Sequence, residues 1–116
     1  MKDHVNEQDW NLFRRKLPGW QEAYMEKLLD SYAELLNMNQ PASERFWEME
    51  RRIRQDKRCS GVVLNNIRRS SMISNLIALL GDHVITLEDL RDFSPELQET
   101  LSQITVQKGS ASHGNR

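Results

Sequence analysis

The 116-residue sequence contains one cysteine, three histidines, three prolines and five glycines, and it has no long hydrophobic run. Each scarcity excludes a class of protein. Cys59 has no intramolecular disulfide partner, which excludes a disulfide-stapled scaffold and leads us to expect a reducing compartment, the cytoplasm. His4, His83 and His113 lie far apart, and no Cys-x-x-Cys or His-x-x-x-His pair is present to seat a zinc ion. The longest mostly apolar stretch, Met72 to Leu80, is interrupted by Ser74 and Asn75. It falls well short of the ~20 residues that a bilayer requires. Met1 to Glu7 lacks the apolar core of a secretory signal. So few glycines leave no phosphate-cradling loop, and no Gly-x-Ser-x-Gly occurs. The chain is therefore expected to be no enzyme and to have no cofactor, metal, membrane association or small-molecule substrate.

What is present is enough for a folded domain. Leu, Ile, Val and Phe make up 28 of the 116 residues, above the fraction of about a fifth below which chains tend to stay disordered. The length suits one small domain, placed at residues 1–106, with a polar, disordered tail at 107–116.

The apolar spacing is helical nearly throughout. Trp10, Phe13 and Leu17 predict a short helix from Glu7 to Leu17, ended by Pro18-Gly19. A second helix is predicted from Trp20 to Met38. Its stripe of Tyr24, Leu28, Tyr32 and Leu35, widened by Met25, Leu29 and Leu36, is broad enough for two neighbours. Glu22, Glu26, Asp30 and Glu34 form an acidic ladder on its other side. Like charges at that spacing mildly oppose an isolated helix. A third helix, capped by Ser43, runs to Lys57 with Phe46, Met49 and Ile53 as its apolar positions. A fourth, from Val63 to Leu80, ends at Gly81 in the C′ position. Thr86 with Asp89 forms a capping box over Leu87 to Arg91, and Ser94-Pro95 opens a last helix through Leu97, Leu101 and Ile104. The expected fold class is all-α, a compact bundle of five to six short helices.

The net charge of −1 hides an asymmetry. Residues 44–70 carry eight cations against four acids, and residues 82–99 carry six acids against one cation. Arginine outnumbers lysine 11 to 5 and is the better residue for bidentate contacts to phosphate or carboxylate. Arg51, Arg54 and Arg58 fall along one side of the third helix, and Arg68 and Arg69 join them if the third and fourth helices form an antiparallel hairpin through Ser60-Gly61. Such a patch suits an acidic protein or a nucleic acid. It also suits an acidic face of the same fold. Glu48, Glu50 and Asp56 interleave with the run, and an isoelectric point near 6.3 is low for a nucleic-acid binder. A helix-turn-helix reading would use Leu87 to Phe93 for recognition, where Glu88, Asp89 and Asp92 would meet phosphates.

Two chemical motifs fail on spacing. A calcium loop begun at Asp82 would have Val84 and Leu87 where a ligand and a glycine belong. Lys57 and Arg58 beside Cys59 favour its thiolate, but no base stands near it in sequence. Seven of the eight aromatic residues lie between Trp10 and Trp47. Most read as core, and Trp10 and Trp47 are the candidates for an interface.

The stretch Asp9-Trp10-Asn11-Leu12-Phe13-Arg14-Arg15-Lys16-Leu17-Pro18-Gly19-Trp20, with Glu44-Arg45-Phe46-Trp47 and Ile85-Thr86-Leu87-Glu88-Asp89-Leu90, resembles a family of small, uncharacterised, all-helical bacterial proteins. These are common in gut Gram-positive bacteria and their mobile elements. Some members are labelled multidrug transporters, a label that the absence of a membrane span here argues against. The resemblance implies no activity and transfers no site residue. The functional expectation is a protein–protein interaction module, binding a protein partner or itself, with Arg51, Arg54, Arg58, Arg68, Arg69, Trp10 and Trp47 as candidate contact residues. The alternative is a nucleic-acid-associated protein using the arginine hairpin.

Overall fold

A computed structural model describes residues 6–114, with side chains as far as residue 105. Helix α1 spans Glu7–Leu36, α2 spans Ala42–Asp56, α3 spans Met72–Gly81 and α4 spans Pro95–Gly114, with 3-10 turns at Arg69–Ser71 and Leu87–Leu90. The described residues contain no strand. Among the described residues four α-helices replace the five or six expected, because α1 runs on through Pro18-Gly19 and the Leu87–Leu90 segment is a 3-10 turn; two boundaries read from sequence also fall elsewhere.

The first concerns Pro18-Gly19, which does not end a helix. α1 continues through both residues for 30 positions, about 45 Å. Proline removes the hydrogen bond to the Arg14 carbonyl. Both Pro18 and Gly19 face solvent, which leaves water to serve that carbonyl. On the opposite face Phe13 and Leu17 are buried before the proline, and Trp20 after it stacks on Phe93 at 6.3 Å and meets Phe13 edge-on at 6.4 Å. Packing on both sides of the proline holds the helix together across it.

The second concerns residues 62–71, which are not the first turns of a fourth helix. Asn and Ser side chains there take over the backbone partners that a helix would use. Ser71 Oγ accepts the Arg68 N–H at 3.2 Å and donates to the Asn66 carbonyl, and Asn75 Nδ2 donates to the same carbonyl at 3.2 Å. α3 therefore starts only at Met72.

The core joins the first half of α1 to α3, the Leu87–Leu90 turn and α4. Phe13, Leu17, Met72, Leu76, Leu79, Ile85, Leu90, Phe93, Leu97 and Leu101 form one buried cluster, with Trp10, Trp20 and Leu64 packed on its edge. Local signals place the C-terminal half as expected. Thr86 and Asp89 form their capping box, and Ser94 Oγ accepts the Leu97 N–H at 3.2 Å at the head of α4. Asp9, only 3% exposed, locks that head to α1, accepting from Ser94 N–H at 2.9 Å and Ser94 Oγ at 2.6 Å. α4 continues as helix to Gly114, through most of the segment where a disordered tail is expected. Residues 115–116 lie outside the described residues.

The second half of α1 leaves this body and pairs with α2 as a projecting arm. The molecule measures 55 × 35 × 22 Å, and its radius of gyration of 17.0 Å exceeds the roughly 13 Å of a compact domain of this length. The expected compact bundle is in fact a body with an arm.

Two backbone positions carry testable consequences. The C′ residue of α3 is His83, not Gly81, at φ 62°. Val84 N–H donates to Leu79 O at 2.9 Å and His83 N–H to Leu80 O at 3.1 Å, the Schellman pattern. A side chain in that left-handed conformation costs energy that glycine avoids. His83→Gly is therefore expected to stabilise the fold by about 1 kcal/mol, raising the melting temperature by roughly 4 °C in calorimetry. Gly61 is buried with the Tyr24 ring lying where its Cβ would be. Gly61→Ala is expected to destabilise by about 1–3 kcal/mol in urea titration.

Candidate interaction surface

The arm is built by polar staples rather than by a deep core. Asn37 to Gln40 turn the chain, and Arg45 reaches back across the turn. Its Nη1 donates to Leu36 O at 2.8 Å and its Nε to Gln40 O at 2.9 Å. A carbonyl left open at the end of α1 is thereby closed by a cation, the favoured charge at that end. α2 begins after Pro41 without a side-chain cap, so Ser43 does not play the role expected of it. Further along, Arg52 Nη1 lies 3.4 Å from Ser31 Oγ, and Tyr32 Oη donates to Asp56. Leu35 is buried between the helices. At the base, Gln21 Nε2 donates to Ser60 O at 2.9 Å, and Ser60 donates from N and Oγ to Asp82 Oδ2 at 3.0 and 2.8 Å. These bonds tie the connecting loop to both arm and body.

Despite these staples, α2 buries none of its residues. Phe46 and Trp47 are each 63% exposed and meet edge to face at 4.9 Å. Ile53 is exposed two turns along α2 from Phe46, and on α1 Leu29 and Leu36 are 58% and 51% exposed. Between the helices lies a cleft of about 230 Å³, lined by Met25, Leu28, Leu29, Tyr32, Ile53 and Val62 together with Asp56 and Lys57. The broad stripe read from Trp20 to Met38 calls for two neighbours, and α2 supplies one. The other flank faces solvent.

The candidate arginines do not assemble. No helical hairpin forms through Ser60-Gly61, because α2 pairs with α1 and the residues after Gly61 are not helical. Arg69 pairs with Glu7 at 2.8 Å at the far end of α1. Glu7 is about 36 Å along that helix from Ser31, which faces Arg52. Arg68 is exposed in the same region as Arg69. On α2 the charges are answered locally. Arg51 grips Glu48 through two bonds of 3.0 and 2.7 Å, Arg52 reaches the same carboxylate at 3.0 Å, and Arg54 pairs with Glu50. The two guanidinium groups hold the Glu48 carboxyl down to about 2, and the Glu48 carboxylate in turn raises Arg51. Arg58 is exposed and makes no ion pair among the described residues.

The tryptophans divide. Trp10 is half-buried on the core edge, stacked on Phe13 at 6.1 Å with Arg14 over its outer face at 5.7 Å, and so it belongs to the fold. Trp47 remains a surface residue. Leu29 and Leu36 are exposed although they widen the apolar stripe of α1, and the width of that stripe is the sign in the sequence; for Phe46, an apolar position of α2 that is also exposed, the sequence offers no such sign. Cys59 is half-buried, with the Gly61 N–H 3.4 Å from its sulfur. The nearby Tyr24 hydroxyl is raised above its ordinary value by its hydrogen bond to Cys59 and by burial. No imidazole contacts Cys59 among the described hydrogen bonds. Among the described residues no helix is long and apolar enough to cross a membrane.

The arm carries a pH dependence. Burial, with the hydrogen bond to Asp56, raises the Tyr32 hydroxyl from 10.0 to about 12, opposed only by Arg52. The folded arm holds a proton that the unfolded chain gives up near pH 10, so this contribution is complete below pH 10 and is lost as pH rises to 12. Helix content by circular dichroism is expected to fall over that window, and Tyr32→Phe is expected to flatten the fall.

The chain matches no known protein-family model, no curated protein and no solved structure.

Proposed function

We propose that the chain is a non-enzymatic protein-interaction module whose contact surface is the open apolar face of the α1–α2 arm. The observation that carries this reading is α2 itself. It is a 15-residue helix with no buried side chain, yet it presents Phe46, Trp47 and Ile53 to solvent. A helix of this length has little stability of its own in water, and contiguous exposed apolar surface of this kind marks interaction sites. Aromatic anchors in such a face typically dominate binding energy. The reading places the protein in the cytoplasm, where its single thiol stays reduced, and among the small bacterial helical proteins that its sequence resembles. Arg51, Arg52 and Arg54 of α2 are paired with carboxylates of their own helix and Arg45 with backbone carbonyls, which weighs against nucleic acid as the partner.

The test is photo-cross-linking in cells of the native source. A benzophenone side chain at Trp47 is expected to capture protein, and one at exposed Glu99 on α4 is not. Phe46→Ala in the Trp47-labelled chain is expected to cut capture severely, as loss of about 2 kcal/mol at an anchor lowers affinity roughly thirtyfold. Equal capture at both positions, or none at Trp47, overturns the proposal.

A further inference from the structure

Building on the reading of the arm as an interaction surface, we infer that its occupant is a second copy of this chain, paired arm to arm in a four-helix bundle. The wide stripe of α1 lacks its second neighbour, and another α2 has the shape and polarity to fill that place. Charge decides how the two arms would meet. At 100° per residue, Glu22 and Glu26 border the Met25–Leu29–Leu36 strip on the outer edge of α1, and Lys57, which also lines the cleft between the helices, follows the Phe46–Ile53 strip on the side of α2 away from α1. All three are exposed, and none makes an ion pair among the described residues. The open face thus has one acidic rim and one basic corner.

A two-fold axis lying across the arm would set α1 on α1 and bring the acidic rims together. A two-fold axis along the arm sets each α1 antiparallel on its partner's α2, at equal height. The contacts of Tyr32 with Asp56 and of Ser31 with Arg52 fix that height, bringing Lys57 within about one turn of the level of Glu26. Each acidic rim then meets the partner's lysine twice over, as an isologous contact requires, and four helices enclose the strips that two leave open.

The experiment is sedimentation of the purified full chain from low to high micromolar concentration, with circular dichroism as the check on folding. The wild type is expected to dimerise. Ile53→Asp is expected to be monomeric, and Glu26→Lys and Lys57→Glu are each expected to weaken the dimer about tenfold or more. Since both charged residues are surface residues, their reversal leaves the fold intact even if Ile53→Asp does not fold. The double reversal, Glu26→Lys with Lys57→Glu, is expected to restore dimerisation to within a few-fold of wild type. A wild-type chain that stays monomeric, or a dimer indifferent to both single reversals, or a double reversal without rescue, overturns the pairing. If the chain is monomeric while Trp47 still captures another protein in cells, self-pairing fails and the interaction module stands. If Trp47 captures nothing as well, both fail.

Discussion

The structure depends on α1 passing unbroken through Pro18-Gly19. Proline inside a helix costs about 3 kcal/mol relative to alanine, and glycine about 1 more. The aromatic cluster of Phe13, Trp20 and Phe93 is what offsets this. Trp20 contacts both partners, and each such pair contributes about 0.5–1.5 kcal/mol beyond its buried area. Without that contact the chain would be free to turn at Pro18, and the second half of α1 would lie against the body or separate from it. With it, a single helix serves as a wall of the core at one end and as the spine of the arm at the other. Everything distal to Trp20 inherits its direction from that contact.

The two halves are then held by different forces. The body is a hydrophobic cluster from α1, α3, α4 and the turn before α4, secured at one corner by the buried Asp9–Ser94 pair. The arm is held by the Arg45 staple, the Tyr32–Asp56 bond and one buried leucine. Ser60 stands at the junction, tied to Gln21 of α1 and to Asp82 at the end of α3. No buried side-chain polar atom among the described residues lacks a partner. The connecting loop is therefore well specified although it contributes little apolar area, which is how a chain with one short core keeps a long extension in register.

What the sequence made legible follows from the range of each signal. Thr86 with Asp89 and Ser94 with Pro95 act within one turn, and both sit where the residues alone place them. The Pro18-Gly19 boundary reads in the sequence as a break in backbone and is in the structure a change of surroundings, with body before it and arm after it. The local rule was overridden by packing onto Phe93, 73 residues further along, which periodicity does not report. Residues 62–71 misled in the opposite way. Their apolar spacing is helical, but Asn66, Ser71 and Asn75 close a hydrogen-bond cluster that no hydrophobic pattern reveals. The arginine patch failed with that helix, since Arg68 and Arg69 were to reach Arg51 only through a hairpin that never forms. All-α class, the core of α3 and the extent of α2 were legible; partner choice between helices was not.

The charge asymmetry of the sequence takes on a different meaning once the pairs are placed. Four of the eight cations of residues 44–70, Arg51, Arg52, Arg54 and Arg69, are answered by carboxylates of α2 or by Glu7 of α1, and Arg45 is spent on backbone carbonyls, so the segment is less basic at its surface than in its sequence. The acids of α1 at Glu22, Glu26, Asp30 and Glu34 have no such neighbours among the described residues and stay as an exposed ladder. Exposed charge without a partner is cheap in water, whereas exposed phenylalanine, tryptophan and isoleucine on a helix with no buried side chain are not. On the proposed reading the apolar residues determine where a contact forms, and the charges determine only its orientation. A covering partner would also stabilise α2 by mass action, making the arm firmer as its occupant becomes more concentrated. On that reading arm stability and partner binding are one equilibrium, while the body is held by a separate core.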